Sequence, residues 1–290
     1  MTLYHYTDIE AVKNILQKNV LWLTHIRFMN DGEELSKGIH YILKKTNDLL
    51  ANDYGVSKLD ILDREIIHSL QEYQIYTCSF CTASNDLLSQ WRGYGNYCIE
   101  FDEAVLLEYC NGINSGLKAE DKPELGRCDL KECSYDTKKN KVSGSTLAQK
   151  MYENNQGIVK TMRKEATHKI VRTPHDGLQV HNEIVLLASS WKDPGFREEE
   201  ESRLIAQVNP QERNSEIKYR TRGGMLIPYY ELPLPENCIK SINIGPHKEQ
   251  ALAKESLEMY IEKLSFHDRD CPINHQNKPV VTTSDIPFKP

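Results

Sequence analysis

Apolar and polar positions alternate along this chain with two distinct periods, and the switches between them mark out its elements. Leu3-Tyr4-His5-Tyr6 has the composition of a short strand. Thr7-Asp8-Ile9-Glu10 then takes the form of a capping box with Thr7 as its cap, and Ile9, Val12, Ile15 and Leu16 share one helical face. Val20–Thr24 reads as a second strand, and Asn30-Asp31-Gly32 as a turn. An amphipathic stretch follows to about residue 73, with Leu35, Ile39, Ile42 and Leu43 at helical spacing.

Residues 74–81 and 97–101 return to strand composition, with a tight segment, Asp86–Gly95, between them. Residues 103–190 are more polar and mostly of helical character, which predicts an insertion or a second layer. Strands are expected again at 203–208, 225–232 and 239–244, the last stopped by Gly245-Pro246. Ala253, Leu257, Tyr260, Ile261 and Leu264 give a closing helix one apolar face, and the proline-bearing stretch 271–290 is expected to be a loosely packed tail. Six or seven strands at both ends of the chain, separated by helices, predict a mixed fold of the α/β or α+β kind. The expected organisation is a single domain over residues 1–270 with a helical insertion at about 103–190.

Composition narrows the class. An apolar share of 39% supports a substantial core, and a charged fraction of 27% fits an ordinary globular chain. Neither a secretory signal nor an apolar run long enough for a membrane span is visible, so a cytoplasmic protein with no membrane partner is expected. The eight cysteines are then expected to be reduced. Cys78-Ser-Phe-Cys81 has the spacing of half a zinc site and Cys128 with Cys133 is the nearest second pair, but H-E-x-x-H and related zinc-hydrolase patterns are missing and no metal is expected. G-x-G-x-x-G and G-x-x-x-x-G-K-[ST] are missing too, against Rossmann and P-loop readings. A net charge of −6 argues against a general nucleic-acid coat, yet residues 138–172 carry nine Lys/Arg against two Glu, a local surface suited to phosphates or an acidic partner.

The most unusual run is Phe196-Arg-Glu-Glu-Glu-Glu-Ser-Arg203, which places Glu198, Glu199, Glu200 and Glu201 directly before a buried strand. Charge runs commonly do no more than face water. On an extended strand, however, Glu199, Glu201 and Arg203 share one side and Glu198, Glu200 and Ser202 the other, so one pair can line a cleft while its neighbours stay solvated. A register shift of one residue would exchange the two sets. Taken singly, His5, Thr7, Asn30 and the pair Trp91 and Tyr94 have ordinary structural explanations.

In order along the chain, L-Y-H-Y-T, M-N-D-x-x-E, S-F-C, L-S-Q-W-R-x-Y-G and F-x-x-E-x-E-x-R resemble an uncharacterised bacterial domain-of-unknown-function family from Leu3 to about Gly245, least so over 103–190. A looser similarity is to the ADP-ribosyltransferase superfamily. That resemblance implies an α+β fold with a mainly antiparallel split sheet. It also implies NAD as substrate: an early strand supplies a His, here His5; a middle strand carries Ser-x-Ser, here Ser79-Phe80-Cys81; a late strand presents a catalytic Glu. On this reading Glu201 is the catalytic carboxylate and Glu199 steers the acceptor or the ribose 2′-hydroxyl. His5 and Thr7 hold the dinucleotide, Tyr94 or Trp91 stacks on nicotinamide, Arg92 meets pyrophosphate, and Asn30 joins the rim. Arg203 contacts a phosphate or orients a glutamate. The acceptor would be a nucleic acid or a protein, met through residues 138–172, in a toxin or anti-phage defence setting with a possible antitoxin partner. The competing expectation is a non-catalytic sensing or interaction module.

Overall fold

The computed structural model describes residues 2–29, 34–54, 74–116, 125–135, 184–208, 217–267 and 277–287. The chain divides into two compact units, one of Met1–His25, Tyr76–Glu132 and Arg197–Pro290, the other of Ile26–Ile75 and Cys133–Phe196. The strands are β1 (Thr2–Thr7), β2 (Val20–His25), β3 (Gln74–Cys81), β4 (Tyr97–Asp102), β5 (Leu125–Glu132), β6 (Glu201–Val208), β7 (Ile217–Arg222), β8 (Met225–Pro233), β9 (Ile239–Ile244) and β10 (Val280–Thr283). The helices are α1 (Ile9–Lys18), α2 (Glu34–Tyr54), α3 (Leu88–Tyr94), α4 (Glu103–Asn114) and α5 (Gln250–His267). None of the described helices is long and apolar enough to cross a membrane.

The strands form one open sheet in the order β10-β9-β4-β1-β3-β2-β8-β7, with β6 pairing β3 and β5 pairing β6. Of the pairs with a described register, all are antiparallel except β9 with β10. The chain is therefore α+β with a mainly antiparallel sheet, within the mixed class that its strands and helices led one to expect.

The centre of that sheet is forked. A strand has two edges, yet β3 has three partners: β1 meets it at Cys81, β2 meets it at Tyr76 and Thr77, and β6 pairs it as well. Because β1 and β2 occupy different lengths of β3, they can share an edge, one leaving to follow β4 and the other to follow β8.

Alternation sorts the side chains of these strands onto two faces. Leu21 and Leu23, Tyr76, Cys78 and Phe80, Leu204 and Ala206, and Tyr230 and Leu232 face the main core, where Val12, Ile15 and Leu16 of α1 and Leu257, Ile261 and Leu264 of α5 join them. The opposite face carries Trp22 and Thr24, Thr77 and Ser79, Glu201 and Arg203, Lys218 and Arg220, and Tyr229 and Glu231. On this face the polar side chains are held by side-chain hydrogen bonds and lie among the buried Ile75, Ile205 and Ile227.

Several local details differ from expectation. Asp8, not Thr7, caps α1: its carboxylate accepts from the Ala11 N–H at 2.8 Å, and Thr7 stays in β1. Glutamate at 198 and 199 does not extend the strand, because Pro194–Glu199 forms a 3-10 turn and Glu200 has a positive φ of 38°. The strand begins at Glu201. β5 and β7 are strands that their polar composition hid, and Val280–Thr283, in the stretch expected to be a loose tail, pairs with β9.

In the second unit, α2 buries Leu35, Ile39 and Ile42. Gly38 lies where an added Cβ would sit 2.8 Å from the Ala188 carbonyl oxygen, so the helical stretch at 184–189 can approach closely. Tyr41 stacks on Trp191 with ring centroids 6.4 Å apart.

Candidate functional site

The acidic run is drawn onto the sheet by backbone bonds. The Glu200 carbonyl accepts from the Thr82 N–H at 3.0 Å and from the Thr82 hydroxyl at 2.8 Å, which ties the turn to the end of β3. The next residue, Glu201, therefore starts β6 beside Ser79, whose hydroxyl donates to Glu201 Oε1 at 2.5 Å. Arg203, two residues on and on the same side of the strand, donates from Nε to the same oxygen at 2.6 Å and from Nη2 to Oε2 at 3.4 Å. Glu201 is 5% exposed and Arg203 4%. The carboxylate is thus fixed by a hydroxyl and a fork-like guanidinium, and a charged pair this deeply buried holds its geometry because either charge alone would be costly.

His5 lies at the fork. Its Nδ1 is 3.0 Å from the Ser79 carbonyl oxygen and 3.5 Å from Cys78 Sγ, and its ring meets Phe80 edge-on at 5.8 Å. It pairs across β1 and β4 with Ile99, so it leaves its strand on the core side rather than on the side of Ser79 and Glu201. Burial lowers its pKa below the ordinary histidine value, partly offset by the Ser79 carbonyl. A neutral imidazole with one nitrogen held by backbone is well suited to grip a polar ligand group, less so to carry charge.

The remaining expected residues are placed as follows. Thr7 is buried, and its carbonyl oxygen would lie 2.4 Å from a Cβ on Gly95, so β1 and the turn after α3 are packed backbone to backbone. Trp91 is 4% exposed, edge-on to Tyr6 at 4.6 Å, with Nε1 donating to Asp86 at 2.8 Å. Of the two aromatic candidates, Tyr94 is the one that a ligand can reach: it is exposed, and its hydroxyl lies 3.5 Å from Glu199 Oε1. Arg92 is exposed on α3, and Glu199 is half-buried at the end of the 3-10 turn. Asn30, like Asp31 and the basic stretch 138–172, lies outside the described residues. Cys78 and Cys81 belong to separate apolar clusters, so the C-x-x-C spacing does not bring the two thiols together. Burial pushes the Cys78 thiol up to about 12, the behaviour of an inert core cysteine.

Three residues beside this network were not anticipated. Arg220 on β7 donates from Nη2 to the Thr24 hydroxyl at 2.8 Å, and Thr24 is the cross-strand partner of Thr77. A faint signal existed in Ile217-Lys-Tyr-Arg-Thr-Arg222, where Lys218, Arg220 and Arg222 alternate with Ile217, Tyr219 and Thr221, but three basic residues in six obscure it.

Fold and site together define an α+β protein whose forked, mainly antiparallel sheet holds a buried Ser-Glu-Arg network on the face opposite its main core. Residues 90–204 match a family described as Protein of unknown function (DUF2971). The resemblance to a domain-of-unknown-function family is thereby shown over a segment from within α3 to the start of β6, which holds F-x-x-E-x-E-x-R and most of L-S-Q-W-R-x-Y-G and lies largely in the stretch expected to be least alike. No curated protein matches the chain, and no solved structure does.

Proposed function

We propose that the chain is an ADP-ribosyltransferase-like enzyme that cleaves the nicotinamide–ribose bond of NAD and transfers ADP-ribose to a nucleic-acid or protein acceptor, in a bacterial toxin or anti-phage defence setting. The observation that carries the reading is the hydrogen bond from Ser79 to Glu201 at the fork of the sheet, with His5 on the adjoining strand bonded to the Ser79 backbone. These are the three positions that the superfamily resemblance singles out: Ser79 and Glu201, 122 residues apart, meet side chain to side chain, while His5 reaches the Ser79 backbone from the opposite face.

The chemistry fits that arrangement. Departure of nicotinamide leaves an oxocarbenium-like ribosyl centre, whose developing positive charge is stabilised by a fixed carboxylate. Glu201 is such a carboxylate, held by Ser79 and Arg203 so that it does not have to reorganise. Glu199 and Tyr94, in contact at the solvent side, are placed to steer an acceptor.

The test is nicotinamide release and label transfer from NAD by the full chain with DNA, RNA or cell lysate, compared with Glu201→Gln and Ser79→Ala variants shown to be folded. Turnover lost in Glu201→Gln and reduced in Ser79→Ala, with NAD binding kept, is the expected result. Absence of NAD binding and turnover in every sample would sink the proposal. The second reading, a non-catalytic sensing or interaction module, is favoured by the closeness of the Glu201–Arg203 pair, which is the form a purely structural ion pair would take. It predicts a partner bound equally well by the wild type and Glu201→Gln.

A further inference from the structure

Beside the Ser79–Glu201 network, on the same face of β3 but two residues earlier, lies a group of polar atoms that the fold leaves incomplete. Arg220 is half-buried with its guanidinium 5.6 Å from the centre of the Trp22 ring, and one nitrogen, Nη2, is bonded to the Thr24 hydroxyl. Its Nε is buried and has no hydrogen-bond partner among the described residues. Thr77 is 1% exposed and its hydroxyl is likewise buried without a partner. Thr24 and Thr77 stand directly opposite each other on β2 and β3, so their side chains share the face onto which Arg220 reaches.

A buried cation is ordinarily matched by an anion, and a buried hydroxyl by a hydrogen bond. Arg220 forms no ion pair with a carboxylate among the described residues; the carboxylate whose field reaches it is that of Asp8, beyond pairing distance. The neighbouring cation Lys218, by contrast, is paired with Glu231. Desolvation lowers the Arg220 pKa, the mark of a charge that its surroundings do not fully compensate. What is missing is an acceptor with several oxygens that can take an Arg N–H and a threonine O–H at once. A phosphate group has that form, and the planar guanidinium is the side chain that matches it best.

We propose that Arg220, with the hydroxyls of Thr24 and Thr77, forms a binding site for a phosphate group of a ligand. Thr77 and Ser79 are alternate residues of one strand, so this site lies about 7 Å along β3 from the residue that holds Glu201. A ligand carrying both a ribose and a diphosphate would span the two. The site itself does not depend on the proposed NAD chemistry, whereas its assignment to the diphosphate of a dinucleotide rests on that reading.

The experiment is a titration of the full chain with inorganic pyrophosphate, ADP-ribose and NAD, followed by calorimetry and by the fluorescence of Trp22, with Trp22→Phe as control for the signal. Arg220→Met and Thr77→Val are compared with the wild type, the threonine variant because it keeps the fold even where loss of Arg220 does not. Pyrophosphate is expected to bind the wild type, roughly tenfold or more weakly to Arg220→Met and several-fold more weakly to Thr77→Val. If NAD and ADP-ribose weaken in parallel, the phosphate is that of the dinucleotide. If pyrophosphate shows the losses while NAD does not bind at all, the phosphate site stands and the proposed function falls. Pyrophosphate failing to bind the wild type at millimolar concentration, or binding both variants unchanged, overturns the site; NAD turnover in that case would leave the proposed function standing.

Discussion

At the scale of single residues, the two charges at the start of β6 support each other. Glu201 and Arg203 have side chains 4% and 5% exposed, so removing one takes from the other a buried partner of opposite charge. Glu201→Ala is expected to cost about 3–5 kcal/mol, whereas the double change of Glu201 and Arg203 to Met costs much less because no charge is stranded. Urea unfolding of the single and double variants checks this. Equal losses would mean that packing, not charge pairing, holds the start of β6. Glu201 stood out in the sequence because an acidic run before an apolar strand is unusual, and Ser79 through the superfamily resemblance alone. Arg220, Thr24 and Thr77 did not, since nothing in a lone arginine or threonine tells which face it occupies or whether its neighbours satisfy it.

At the scale of elements, caps and close approaches set the joints of the sheet. Asp102 ends β4 and starts α4: its carboxylate accepts from the Ala104 N–H at 2.9 Å and the Val105 N–H at 3.3 Å, and Lys240 lies 3.0 Å away. The hydrogen bond from Lys240, with that from the Val105 N–H, holds its pKa below the usual aspartate value. A carboxyl with a depressed folded pKa contributes stability that is complete above the unfolded value and is lost on acidification. Asp102→Ala should therefore lower stability by about 1 kcal/mol at neutral pH. The gap from the wild type should close as the pH falls below about 4, read as converging melting temperatures.

Gly95 is the second joint, with a φ of 130° and the Thr7 carbonyl oxygen 2.4 Å from where a Cβ would be. Gly95→Ala should destabilise by about 1–3 kcal/mol and loosen β1 at the fork. Thermal unfolding with an undiminished midpoint would refute it. Strands with strong alternation, such as β3 and β9, were placed from sequence almost to the residue. β5 and β7 were not, because their exposed or charged positions dilute the period, and the cap of α1 was misplaced because Thr7 and Asp8 are both good caps and only the pairing of β1 with β4 decides between them.

At the scale of the whole molecule, the first unit gathers segments from both ends of the chain. Strand content, the mixed class and the closing helix were readable, since they rest on local patterns. The fork was not, because three strands competing for two edges of β3 is a property of pairing between distant segments. The C-terminal stretch shows the same limit: Ser284 Oγ and the Asp285 N–H bond the Asp86 carboxylate at 2.5 and 3.1 Å, and Asp86 also accepts from Trp91. A chain ending before residue 277 should lose β10 and unlatch Asp86, with a melting temperature lower by several degrees. An unchanged melting temperature would show that β9 needs no partner on the edge away from β4.

The order of the strands also has a consequence for synthesis. β1, β2, β3 and β4 all leave the ribosome early, but Glu201 follows Ser79 by 122 residues, and β7 and β8 come later still. The growing polypeptide therefore carries a half-built fork without its carboxylate from the completion of β3 until β6 begins. Whatever chemistry the finished molecule performs is withheld from the ribosome that makes it until β6, and after it β7 and β8, have been added.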